Sequence, residues 1–128
     1  MLAKGSLENF LMKRLITNFN IMISFADFKE MDLRVGTITE ASVIEDADKL
    51  LLLTISVGDE DRQVVSGIRS VVDDADELIN TQVIFLANLE PKEIFGYESQ
   101  GMILAARDGD KISLTTVVDE VSAGSQVS

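Results

Sequence analysis

The sequence contains neither cysteine nor histidine. Disulfides, thiolate nucleophiles, Cys/His zinc sites and histidine general bases are therefore excluded, since each needs a sulfur or an imidazole. Cationic side chains are outnumbered: 11 Lys and Arg stand against 22 Asp and Glu, for a net charge of −11. That excess keeps a chain soluble and repels polyanions at long range. Long apolar runs are missing too. Lys4, Glu8, Lys13 and Arg14 interrupt the N-terminal segment, which is thus neither a membrane span of roughly 20 apolar residues nor a secretory leader. No membrane partner is expected, and the cytoplasm is the expected compartment. No Walker loop, GxGxxG or internal repeat is present. The acidic clusters at 45–48 and 73–77 lack the alternating ligands and central glycine of a calcium loop, so they read as a solvated loop and a helix start. Gly96-Tyr-Glu-Ser99-Gln-Gly101 lacks G-x-S-x-G spacing, and no imidazole is available to activate Ser99. No metal, no cofactor and no enzyme activity are expected.

What is there is material for a core. At 128 residues, 46% of them hydrophobic, one compact domain burying about two-thirds of its unfolded surface is the expectation. Residues 1–22 read as an N-terminal extension. Ser6 is placed to cap a short amphipathic helix with Leu7, Phe10, Leu11 and Leu15 on one face. Met22 is an alternative start, so this stretch reads either as an adaptor helix or as extra translated sequence. With Lys4, Lys13 and Arg14 against Glu8, residues 1–21 carry +2, which leaves −13 on the remainder.

From Ile23 onward the pattern is β-rich. Ser24-Phe-Ala-Asp27 has the form of a capping box and predicts a single helical turn. Leu33–Ile44 is rich in β-branched residues, with a bulge or bend expected at Gly36, and predicts the first strand. Leu51, Leu53, Ile55 and Val57 alternate through a second strand, and Gly58-Asp59-Glu60-Asp61 connects it to a third over Arg62–Ile68. Asp73, Asp74, Asp76 and Glu77 crowd the start of a short helix. A strand over Val83–Leu89, a long loop over Pro91–Gly101, a fifth strand over Met102–Ala106 and an extension through Lys111–Val118 complete the order. Three strands, a short helix and two strands make an all-β, five-stranded Greek-key OB-fold barrel over residues 23–107, with a C-terminal extension over 108–128. Such barrels bind ligands on strands 2 and 3 and on the loops joining strands 1 to 2 and 4 to 5.

Lys49 falls in the first of those loops, Arg62 and Arg69 at the ends of strand 3, and Asn88, Lys92 and Ser99 around the second. Cations for phosphates beside neutral donors and acceptors suit RNA positioning with modest readout. Asp59, Glu60 and Asp61 surround Arg62, and Glu90 and Glu93 flank Lys92, so part of this charge is locally offset. Phe95 and Tyr97 are the candidates for base stacking.

These residues, in order, resemble a known family. Asp27-Phe28, Asp32-Leu33-Arg34-Val35-Gly36, Ala47-Asp48-Lys49-Leu50 and Arg62-Gln-Val-Val-Ser66-Gly67-Ile68-Arg69 are followed by Ala87-Asn88-Leu89, Pro91-Lys92 and Ser99-x-Gly101-Met102-x-Leu104-Ala105-Ala106. The stretch from Ile23 to Val127 is similar to the OB-fold tRNA-binding domain family. Its members occur at the C-terminus of methionyl-tRNA synthetases, as a free-standing beta subunit, and in cofactors such as endothelial monocyte-activating polypeptide. The resemblance implies a noncatalytic module that recognises tRNA mainly by shape and aids aminoacylation. By position it implies Lys49, Asn88, Ser99 and Met102 as the RNA-contacting group, with Arg34, Arg69 and Lys92 in support; Met102 reads equally as core. It implies tRNA and the methionyl-tRNA synthetase catalytic subunit as partners, and a homodimer formed through the C-terminal extension. Thr116 and Ala123 depart from the family at positions where prolines are expected. The alternative reading is a protein-interaction or chaperone-like dimeric OB module with weak or no RNA binding.

Overall fold

A computed structural model describes residues 22–128, and the chain divides into two compact units, Met1–Glu30 and Met31–Ser128. The helix expected after Ser6 lies outside the described residues. In the first unit, α1 (Phe25–Lys29) opens on the expected capping box. Ser24 Oγ accepts from the Asp27 amide at 3.0 Å, and Asp27 Oδ2 accepts from the Ser24 amide at 3.3 Å. These bonds satisfy two amides that a first helical turn otherwise leaves open.

The second unit runs β1 (Leu33–Val43), β2 (Leu51–Ser56), β3 (Asp61–Ser66), two 3-10 turns (Arg69–Val71 and Ala75–Leu78), β4 (Gln82–Leu86), β5 (Lys92–Ile94), β6 (Tyr97–Ser99), β7 (Met102–Ile103), β8 (Ala105–Asp108) and β9 (Lys111–Leu114). Five of these strands form one antiparallel sheet in the order β3-β2-β1-β4-β7, and β5-β6 and β8-β9 are separate hairpins. β1 is long enough to serve two neighbours. Leu33–Thr37 pair with β4 and Thr37–Val43 with β2, so the strand curls the sheet on itself. Period-two alternation along β2 puts Leu51, Leu53 and Ile55 inside, where they meet Ile38, Val64, Val83 and Phe85. Burial of such apolar area, at about 25 cal/mol per Å², is the main force holding the barrel together.

Closure of the barrel between β3 and the chain after β6 uses side chains as well as backbone. The Gln100 amide donates to the Gln63 carbonyl at 2.8 Å, and the Gln63 amide donates to Gln100 Oε1 at 2.9 Å. Gln63 Nε2 reaches the Glu98 carbonyl at 2.9 Å. Arg62 lies across the same seam, with Nη1 donating to the carbonyls of Ala87 (2.8 Å) and Gln100 (3.2 Å) and Nε to Glu60 at 2.6 Å.

Four expectations are corrected. The irregularity in β1 falls between Ile38 and Glu40, whereas Gly36 pairs regularly with Val83. Gly36 is required for another reason, since a Cβ there would run into Ile55 Cγ2. The acidic helix shortens to a 3-10 turn capped by Asp74. Directly after it the Asn80 amide donates to the Ile38 carbonyl (2.7 Å) and the Ile38 amide to the Thr81 carbonyl (2.9 Å), so pairing with β1 captures the chain before a second turn can form. The loop over 91–101 contains the β5-β6 hairpin. Its turn residues Phe95 (φ 53°) and Gly96 (φ 86°) both have positive φ, the backbone that suits tight hairpins. The predicted fifth strand breaks at Leu104, with β7 on β4 and β8 on β9.

The C-terminal residues return to β1 along the stretch that β2 leaves uncovered. Val35 donates to the Ser125 carbonyl (2.8 Å), and its own carbonyl accepts from Gly124 (2.7 Å); Val127 donates to the Leu33 carbonyl at 2.8 Å. Gln82 holds the approach, its amide group bonding both the carbonyl (2.6 Å) and the amide (3.2 Å) of Val121. Backbone groups of β1 that a barrel edge would leave unpaired are thus satisfied.

Candidate functional site

The loop over residues 44–50 is held from below. Ile44 and Ala47 are buried with Val65 in a small second core, against which Leu50, Leu52 and Ile94 pack. The loop between β1 and β2 and the β5-β6 hairpin therefore rest on one apolar cluster, and Lys49 is left exposed at the rim. Arg69 ties the exit of β3 to this loop, its amide donating to the Lys49 carbonyl (3.3 Å) and its Nη1 to the Ala47 carbonyl (3.4 Å).

Lys49 and Arg69 open onto one cleft of about 800 Å³, lined also by Ser70 and Arg107, with Asp48 and Asp110 on its walls. Among the described residues, none of the three cations has a carboxylate oxygen within 4 Å. Arg107 is the residue that sequence reasoning misses. Its only signal is a cation directly before the Asp108-Gly109 turn, a pattern that turn chemistry explains without any site.

The other expected residues lie elsewhere. Asn88 Oδ1 accepts from the Asp32 amide at 2.9 Å, and the Asp32 carboxylate accepts from Arg34 Nε at 3.0 and 3.1 Å. Arg34 and Asn88 are thus joined through Asp32. The hydrogen bond that Arg34 donates to Asp32, reinforced by the carboxylate's charge, holds the guanidinium even more firmly protonated than usual. Lys92 is exposed on β5, opposite Ser99 on β6. Met102 pairs with Leu86 and remains 46% exposed, so it is not a core residue. None of these five lines the cleft. Arg62, a further cation of strand 3, is spent on the barrel seam.

Ser99 is 5% exposed, and its hydroxyl is engaged inside the protein, accepting from the Val65 amide (3.0 Å) and donating to the Gly101 carbonyl (3.4 Å). This bond fixes β6 against β3. Ser99→Ala should leave the buried Val65 amide without a partner and lower stability by about 1–3 kcal/mol in a denaturant titration. RNA affinity measured well below the new melting temperature should change less than on loss of Lys49.

Among the described residues no group of three or more acidic side chains is arranged to hold a metal ion, and no helix is long and apolar enough to cross a membrane.

Comparison with known proteins gives a consistent pattern. The family described as "Putative tRNA binding domain" matches residues 33–126. The methionine–tRNA ligase of Haloarcula marismortui is 49% identical over 105 residues, 82% of this chain and 14% of that protein. The chain thus spans about a seventh of the length of the curated relatives it matches. Among solved structures, a MetRS-related protein from Pyrococcus horikoshii superposes with a TM-score of 0.78 at 34% identity, covering 84% of this chain and 98% of that one. The chaperone CsaA from Bacillus anthracis gives 0.77 at 26% identity, covering 84% and 100%.

Proposed function

Because the chain belongs to the tRNA-binding domain family, we propose that it acts as a noncatalytic module that grips tRNA by shape and supports methionyl-tRNA aminoacylation in the cytoplasm. The observation that carries this reading is the cleft where Lys49 and Arg69 meet without carboxylate partners on a chain of net charge −11. Cations that an acidic protein keeps unpaired on one surface suit phosphate contacts, and salt screens carboxylates beyond about 8–10 Å. In this reading Lys49 and Arg69 neutralise phosphates, while Asn88, Met102, Arg34 and Lys92 contact the RNA outside the cleft. Ser99 acts from inside, as the pin that sets the hairpin carrying Lys92.

A synthetase catalytic region is the proposed partner, because the H. marismortui protein matched is a methionine–tRNA ligase. The proposed homodimer is supported by Val118 and Val121, apolar residues of the C-terminal extension that stay exposed.

The test is a titration with total tRNA and with a plain RNA duplex of equal length at several salt concentrations, with sedimentation in the same buffers. Tighter binding to tRNA with a shallow salt slope, at twice the 14.0 kDa chain mass, is the expected result. Absence of RNA binding even at low salt overturns the reading in favour of a chaperone-like interaction module, the name carried by its CsaA neighbour.

A further inference from the structure

We propose that Arg107 is a third phosphate contact, and that the cleft between the 44–50 loop and the β8-β9 hairpin receives the phosphodiester backbone of an RNA strand without reading its bases. The proposal rests on the tRNA reading above and adds a residue and a recognition mode to it.

Eight Lys and Arg follow Met22, and three of them line this one cleft. They arrive from separate stretches: Lys49 before β2, Arg69 after β3 and Arg107 on β8. Twenty-one Asp and Glu share that part of the chain. Carboxylates are thus abundant enough to pair every cation, and Arg34 and Arg62 are paired in this way, with Asp32 and Glu60. Among the described residues the cleft cations are left unpaired, although Asp48 and Asp110 line the same space. The three cations outnumber the two carboxylates of the lining and, among the described residues, none is tied up in a direct ion pair, so an anion entering the cleft meets an excess of positive charge.

The lining also selects among anions. No aromatic side chain borders the cleft among the described residues, so a base entering it finds nothing to stack on, and stacking supplies much of the affinity where bases are held. A mononucleotide would be held by its phosphates alone. The volume of about 800 Å³ is that of a whole ligand pocket, far larger than a niche for one phosphate. Cations spread around such a space suit successive phosphates along a strand, and contacts of that kind position without specifying sequence.

The test measures dissociation constants for total tRNA across a series of salt concentrations, with melting curves confirming that each variant folds. Arg107 is exposed on a hairpin, so its replacement leaves the core intact. Arg107→Gln is expected to weaken binding about fivefold near 0.1 M salt and to make the log–log salt slope shallower by about one. Arg107→Lys should retain the slope, because it keeps the charge. Lys111→Gln removes the same charge from the same hairpin but does not line the cleft, and should stay within about twofold of wild type. Asp110→Asn should tighten binding, since it removes a carboxylate from the lining. Wild-type binding with Arg107→Gln unchanged overturns the proposal and leaves the tRNA reading standing. Equal losses in Arg107→Gln and Lys111→Gln also overturn it, by showing an effect of net charge alone. Failure of the wild-type protein to bind RNA removes both.

Discussion

Gly101→Ala should cost the barrel about 3–5 kcal/mol, because two penalties fall on one methyl group. Gly101 sits at φ +135°, a backbone region open to glycine and strained for every other residue. Its Cβ position is already filled by the edge of the buried Phe85 ring, and the Leu86 carbonyl lies 2.8 Å away. Phe85 is fully buried at the centre of the core and cannot retreat without opening a cavity. For a unit of this size the loss corresponds to a fall in Tm of about 15 °C or more. The double variant Gly101→Ala/Phe85→Leu separates the two causes. A shorter side chain frees the space the methyl needs, so the double variant should be more stable than the sum of the single losses. Strict additivity in that cycle would show that the ring contact contributes nothing and that backbone strain carries the whole effect.

The second large effect concerns binding. Lys49→Ala combined with Arg69→Ala should weaken association with tRNA by about 10- to 100-fold near physiological salt and reduce the salt slope by about two. Each single variant should lower the slope by about one, uniformly across tRNA species, since phosphate contacts carry no base information. The fold should survive. Lys49 is exposed, and among the described residues the Arg69 side chain contributes one long bond, to the Ala47 carbonyl. Unchanged tRNA affinity in the double variant would remove the cleft from the binding surface.

How legible the chain is depends on the range of the interaction concerned. Alternation through Leu51, Leu53 and Ile55 locates β2, because period-two burial is a local property of an extended chain. Ser24 and Asp27 likewise fix the start of α1 through bonds three residues apart. Most of the corrected expectations depend on partners distant in sequence, the local β5-β6 hairpin being the exception. The acidic turn stops at Leu78 because Asn80 and Thr81 pair with Ile38, some forty positions earlier. β7 and β8 part at Leu104 because their partners, β4 and β9, belong to different sheets. Phe95 gives no local warning of a tight hairpin, since a bulky residue at positive φ is unusual and Asn or Gly is the ordinary sign.

The candidate site divides along the same line. Residue order alone determined the fold class, the absence of thiol and imidazole chemistry and the family, since these follow from composition, periodicity and motifs read along the chain. Which cations stand together was decided by closure of the barrel. Arg62 and Arg69 are seven positions apart at the two ends of one predicted strand, and the sequence marks only the acidic neighbours of Arg62 as a difference between them. One is drawn into the seam with Ala87 and Gln100, while the other opens onto a cleft with Lys49 and Arg107. Electrostatic attraction acts through space over a few ångströms. Only the folded barrel brings residues 49, 69 and 107 around one space, where they outnumber the two carboxylates, Asp48 and Asp110, that share the lining.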